Sequence, residues 1–202
     1  MEPPQVQVLQ VGTGGILTPQ EVPFWRDTFF QTALPATPNT LVVDLSLAVP
    51  LTSSLEEFIV PLARKVMSGF YGPAKLVVCS PDPHVRRAIS SLAMSYNVGL
   101  YVCESARALN DARPVGTTPT EQSTIHVIQA MGGITTASAF AAKVNLELSA
   151  ASNRLVNLEK KGYVHRVKRG GREGDLFVDP RTAIVPDWYA GTDTTAELSL
   201  AT

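Results

Sequence analysis

The sequence predicts an α/β protein in two parts. A Rossmann-like parallel-sheet domain spans residues 1–112, and a C-terminal winged helix-turn-helix domain spans 119–186. Three observations carry this expectation. Strand-like and helix-like segments alternate through the first half; the alternation stops at the Pro-, Gly- and Thr-rich stretch "NDARPVGTTPT" (110–120); and three short helical segments plus a basic hairpin follow it. Residues 113–118 read as a linker and 187–202 as a flexible tail.

In the first half, "QVQVLQVG" (5–12), "TLVVDLSLA" (40–48), "AKLVVCS" (74–80) and "LYVCES" (100–105) are near-continuous apolar runs. Such runs suit strands covered on both faces. Between them lie the helical segments 18–34, 53–70 and 82–97, and a short helical "SARALNDA" follows the last strand. In the third long helix Val85, Ile89, Leu92 and Tyr96 share one face, with Arg86, Arg87 and Ser90 turned elsewhere. Repeated β-α units imply a parallel sheet with right-handed crossovers.

Composition bounds the class. The 202 residues are 45% hydrophobic and 17% charged, with a formal net charge of -1. That is enough apolar content for a packed core. No apolar run approaches the ~18 residues of a membrane span, and the first residues lack a basic leader followed by an apolar stretch. Cys79 and Cys103 do not form a disulfide framework. A soluble, cytoplasmic protein with no membrane partner is expected.

In the second half, Thr118-Pro119-Thr120-Glu121 is a capping box with Pro at the first helical position. The helix it opens runs to about Met131 and stops at Gly132-Gly133. A second begins near Thr135 or Thr136, with Ala137, Phe140, Ala141 and Val144 on one face. A third runs from about Leu148 to Lys161 and ends at Gly162. On it, Leu148, Ala151, Leu155 and Leu158 form an apolar side. Ser149, Ser152, Asn153 and Asn157 form the opposite side, interrupted by Val156, with Arg154 on the flank. Small hydroxyl and amide side chains suit a helix that reads base edges in a major groove. The hairpin "GYVHRVKRGGREGDLFVDPR" then sets Arg166, Lys168, Arg169 and Arg172 around a glycine turn. Residues 119–186 carry nine basic and six acidic side chains, so this segment is +3 while the whole chain is -1. Positive charge is concentrated where phosphate would be met.

The stretch "TTASAFAAKVNLELSAASNRLVNLEKKGYVHRV" resembles the core of MarR-like winged-helix regulators, over roughly residues 119–180. Its features are an alanine-rich second helix, a short turn, a polar third helix, and "LEKKGYV" leading into the wing. The resemblance implies double-stranded DNA as partner, with Ser149, Ser152, Asn153, Arg154, Asn157, Arg166, Lys168, Arg169 and Arg172 as contacts. It also implies a homodimer. MarR-like proteins dimerise through long terminal helices, whereas the residues after Pro186 are few and polar, so the interface is expected in residues 1–112.

Three features of the first half bear on regulation. The loop Gly12-Thr13-Gly14-Gly15 after the first strand is either a plain glycine turn or a cradle for an anionic small-molecule or nucleotide effector. With the winged helix behind it, this arrangement resembles the CRISPR-associated (CARF-type) Rossmann-fold regulators. "VVDLSLAVPLTSSLEEF" resembles STAS domains of anti-sigma-factor antagonists, which would make Ser53 a modification site and the winged helix a protein-binding module. Thr52 and Leu55 depart from that pattern, and Ser53 with Glu56 reads more simply as a helix cap. Cys79 and Cys103 each end an apolar strand and are expected as sheet neighbours, structural rather than redox-active. His84, His126 and His165 are scattered, and no nucleophile-base set or metal-ligand spacing is visible. Neither catalysis, metal nor cofactor is expected.

Overall fold

A computed structural model describes residues 5–32, 39–169 and 174–183. The chain opens with β1 (Gln5–Gln10), β2 (Gly15–Leu17), α1 (Val22–Thr32), β3 (Asn39–Asp44), β4 (Ala48–Pro50) and α2 (Thr52–Met67). It continues with β5 (Lys75–Cys79), α3 (Pro83–Ser95), β6 (Leu100–Cys103), a 3₁₀ helix (Ala106–Asp111) and β7 (Arg113–Val115). The remaining elements are α4 (Pro119–Ala130), β8 (Ile134–Thr136), α5 (Ala137–Val144), α6 (Leu148–Lys160), β9 (His165–Val167), β10 (Leu176–Val178) and a 3₁₀ turn (Pro180–Thr182).

The fold is mixed α/β around a mostly parallel sheet. Its strand order is β1-β3-β5-β6-β7, with the first four parallel and β7 antiparallel to β6. The order follows the chain without reversal. Right-handed crossovers in one direction place every connecting helix on the same face. Leu41, Val43, Leu76, Val78, Leu100 and Val102 accordingly pack under Phe58, Leu62 and Ile89 of α2 and α3.

The alternate residues Val42, Val77, Cys79 and Tyr101 point to the other face. They pack with Ile128, Phe140, Leu155, Leu158 and Tyr163 from the C-terminal elements. Both faces are thus covered, as the continuous apolar strands require, but the second cover comes from the other half of the sequence. The expected linker also begins differently: residues 113–115 form β7, and Tyr163 Oη donates to the Val115 carbonyl at 2.9 Å.

Several polar contacts tie the two layers together. The buried Tyr101 hydroxyl donates to the Tyr163 carbonyl at 2.9 Å, with the Arg181 guanidinium 5.2 Å over its ring. Arg181 and Asp179 form a buried ion pair, and Arg181 also donates to the Ala112 carbonyl at 3.2 Å. Lys75 Nζ donates to the Glu159 carbonyl at 3.2 Å. His165 Nδ1 lies 2.8 Å from the Pro73 carbonyl, which fixes Nδ1 as the protonated nitrogen. Burial, and then the nearby Lys75 charge, lower His165 to about 3, and burial lowers Lys75 to about 8.

Gly99 marks the closest approach. A Cβ there would stand 2.0 Å from the Lys161 carbonyl oxygen and 2.8 Å from Tyr163 Cζ. No side chain fits while α6 ends against the sheet.

Candidate nucleic-acid interface

The C-terminal elements are held at fixed angles by their caps. Thr118 Oγ1 accepts from the Glu121 N–H at 3.3 Å and Glu121 accepts from the Thr118 N–H at 2.8 Å, the expected capping box. Lys161 Nζ reaches the same Glu121 carboxylate at 2.6 Å, joining the start of α4 to the end of α6. Burial opposes ionisation of Glu121, but the Lys161 and Thr118 donors outweigh it and hold its carboxyl below the usual range. Thr136 caps α5 through the Ala139 N–H, and Asn145, in left-handed conformation (φ 53°), ends it. A three-residue turn then launches α6.

α6 buries Ala151, Leu155 and Leu158. Leu148, assigned to the same apolar side, is 56% exposed because it lies in the first turn, beyond the core. Ser149, Asn153, Arg154 and Asn157 are exposed, and Ser152 is half-buried. These five expected contacts therefore lie away from the core on one element. The C-terminal end of α6 meets the sheet region through the Glu159 and Lys161 carbonyls, while along the helix one side is buried and the opposite side is exposed.

The hairpin lies beside this helix. β10 sits between β8 and β9 in an antiparallel three-stranded sheet, one strand more than the expected two-stranded wing. Arg166 and Ser152 share a cavity of about 310 Å³ with Thr136 and Ser138 at the start of α5. Arg166 is not a free cation. Its Nε and NH2 both meet Asp175 Oδ2 at 2.6 Å, and its guanidinium lies 6.0 Å from the Phe177 ring centroid. Sequence reading missed this partner, although Asp175 follows the glycine-rich stretch and lies nine residues from Arg166. Lys168 is exposed and Arg169 half-buried; Arg172 lies outside the described residues.

The glycine loop lies elsewhere, at the carboxyl end of β1. It leads into β2, which pairs in parallel with β4, and only then into α1. Gly12 has φ 92°, and a Cβ there would stand 2.6 Å from the Leu47 carbonyl oxygen. The Gly14 N–H already donates to that carbonyl at 2.8 Å. Thr13, Gly14 and Gly15 are exposed. The glycines here let two backbones approach, and the sheet has no strand-order reversal to open a crevice beside them.

Ser53 does not cap α2. The N-cap is Leu51, without a side-chain bond, and Glu56 instead accepts a hydrogen bond from the Tyr96 hydroxyl. The neighbouring Ser54 hydroxyl donates to the Leu17 carbonyl at 2.7 Å and is buried, whereas Ser53 is exposed. Cys79 and Cys103 are register partners in β5 and β6, as expected, with Sγ atoms 3.0 Å apart and both side chains buried. Burial and the Cys103 contact push the Cys79 thiol well above its ordinary range.

Among the described residues, no helix is long and apolar enough to cross a membrane. Comparison with protein-family models finds no match, and no curated protein matches the chain significantly.

Proposed function

We propose that this chain is a cytoplasmic, sequence-specific DNA-binding transcriptional regulator. In this reading α4 to β10 form a MarR-like winged helix-turn-helix, with α6 as the helix that enters the major groove. The observation that carries the reading is the exposed face Ser149-Asn153-Arg154-Asn157, opposite the buried face of α6. Asn amides pair bidentately with adenine, and Arg with guanine. The N-terminal turns of a recognition helix are the ones that reach base edges. The order helix, strand, two helices, two strands agrees with this assignment, as does the basic hairpin beside α6. Lys168 and Arg169 contact backbone phosphate, and the ion-paired Arg166 contributes less than its charge implies.

Regulators of this kind read paired half-sites, so the working unit is a homodimer. Ile16 and Val49 support an N-terminal interface. They are register partners in the two-stranded β2–β4 ribbon, 60% and 62% exposed, and the 46% exposed Leu51 follows directly. A second copy supplies an identical apolar ribbon for them to meet.

Selection of duplexes from a random pool by the full chain tests the reading. A recovered consensus with two related half-sites is expected, each half-site bound by one copy. Recovery of no consensus, with binding equal on all duplexes, would remove sequence-specific readout.

A further inference from the structure

β7 is added antiparallel at the edge of the sheet beyond β6, with α3 packed nearby. This leaves a cavity of about 390 Å³ between α3, the end of β6, the 3₁₀ helix 106–111 and β7. The volume lies within the ~300–1,000 Å³ typical of small-molecule sites.

Three arginines line it. α3 contributes Arg86 and Arg87, with Ser90 one turn on, and β7 contributes Arg113. Arg86 NH1 donates to the Ser80 and Pro81 carbonyls, which fixes the guanidinium without neutralising it. Arg87 donates to the Pro83 carbonyl at 3.4 Å, and its NH2 lies 3.5 Å from His84 Nδ1. Two carboxylates, Glu104 and Asp111, lie on the same cavity. Among the described residues, no ion pair joins either of them to these arginines. Val102 and Val115 add apolar surface.

We propose that this cavity binds a small phosphomonoester whose organic part carries hydroxyl or amine donors. A phosphate dianion matches three guanidiniums better than a monocarboxylate, because it offers three oxygens and two charges. Glu104 and Asp111 accept from the organic part and repel bare polyanions such as nucleic acid. The valines take its apolar surface.

The position gives the ligand leverage. The cavity is bounded by β7 and the 3₁₀ helix; the carbonyl of Ala112, which joins them, and that of Val115, which ends β7, hold Arg181 and Tyr163 of the C-terminal layer. Occupancy therefore alters how that layer sits on the sheet. This regulatory consequence rests on the DNA-binding reading above; the binding site itself does not.

Isothermal titration of the full chain with AMP, glucose 6-phosphate and inorganic phosphate, each to millimolar concentration, tests the site without DNA. At least one organic phosphomonoester binds, and its dephosphorylated counterpart does not. The exposed double variant Arg87→Ala/Arg113→Ala weakens that binding by at least about tenfold while its melting temperature without ligand is unchanged. Glu104→Gln/Asp111→Asn weakens the organic ligand and spares inorganic phosphate. Absence of binding by all three probes would overturn the proposal, as would equal affinity in the arginine double variant or binding of inorganic phosphate alone. With binding established, an unchanged DNA affinity at saturating ligand would overturn the regulatory consequence alone.

Discussion

At the residue scale, the buried pair Lys75 and His165 carries the clearest pH signature. His165 titrates at about 3 in the folded chain and near 6.5 when unfolded. Between those values the unfolded state binds the extra proton, so stability falls as pH drops from about 6.5 towards 3. The slope is at most about 1.4 kcal/mol per pH unit. Lys75 acts in the opposite window: with a folded value of about 8 against 10.5, it makes stability rise as pH climbs through that range. Urea unfolding across pH 3–7 measures the first effect. His165→Gln, which keeps a donor for the Pro73 carbonyl, should flatten that part of the profile. An unchanged profile would mean that the imidazole is not buried neutral. The sequence placed His165 in the hairpin but gave no hint of this role, because Pro73 and Lys75 lie some 90 residues away. The Arg166–Asp175 pair is hidden from the sequence for a related reason, since counting charges along a hairpin ignores pairing across it.

At the element scale, local signals were the most legible. The Thr118–Glu121 capping box, the Thr136 start of α5 and the buried face of α6 all follow from residue type and spacing within a few positions. Ser53 is the counter-example. It has the composition of a cap, but the N-cap is Leu51, two residues earlier, where the Leu51 N–H meets the Leu17 carbonyl at 3.4 Å. The short edge strand β7 reads as linker in the sequence because three residues with a central proline carry no strand pattern. Gly99 tests how tightly the end of α6 is seated. Gly99→Ala should lower stability by about 1–3 kcal/mol, as overpacking does. It should also loosen the contact between α6 and the sheet, seen as faster amide exchange around Tyr163. A neutral substitution would show that the contact yields without cost.

At the scale of the whole molecule, the sequence divided the chain at residue 112, and the structure joins the two halves through one buried face. Composition announces that the strands are covered on both sides; it does not say by what. Removing residues 113–202 would strip β7 and expose Val42, Val77 and Tyr101, which are buried in the full chain. Fragment 1–112 should therefore lack the cooperative unfolding transition of the full chain. A cooperatively folded fragment would show the halves to be independent.

The DNA-binding reading depends on the polar side that α6 exposes while its other side packs in that shared core. The most direct test is the salt dependence of binding to the selected site and to random duplex, for the full chain and for Asn153→Ala. The intact chain should bind its site more tightly than random DNA, with log K falling linearly against log salt. Asn153→Ala should lose about 1–3 kcal/mol on the selected site and far less on random duplex, with the salt slope unchanged. Equal losses on both DNAs, or no loss on either, would contradict α6 as the reading helix.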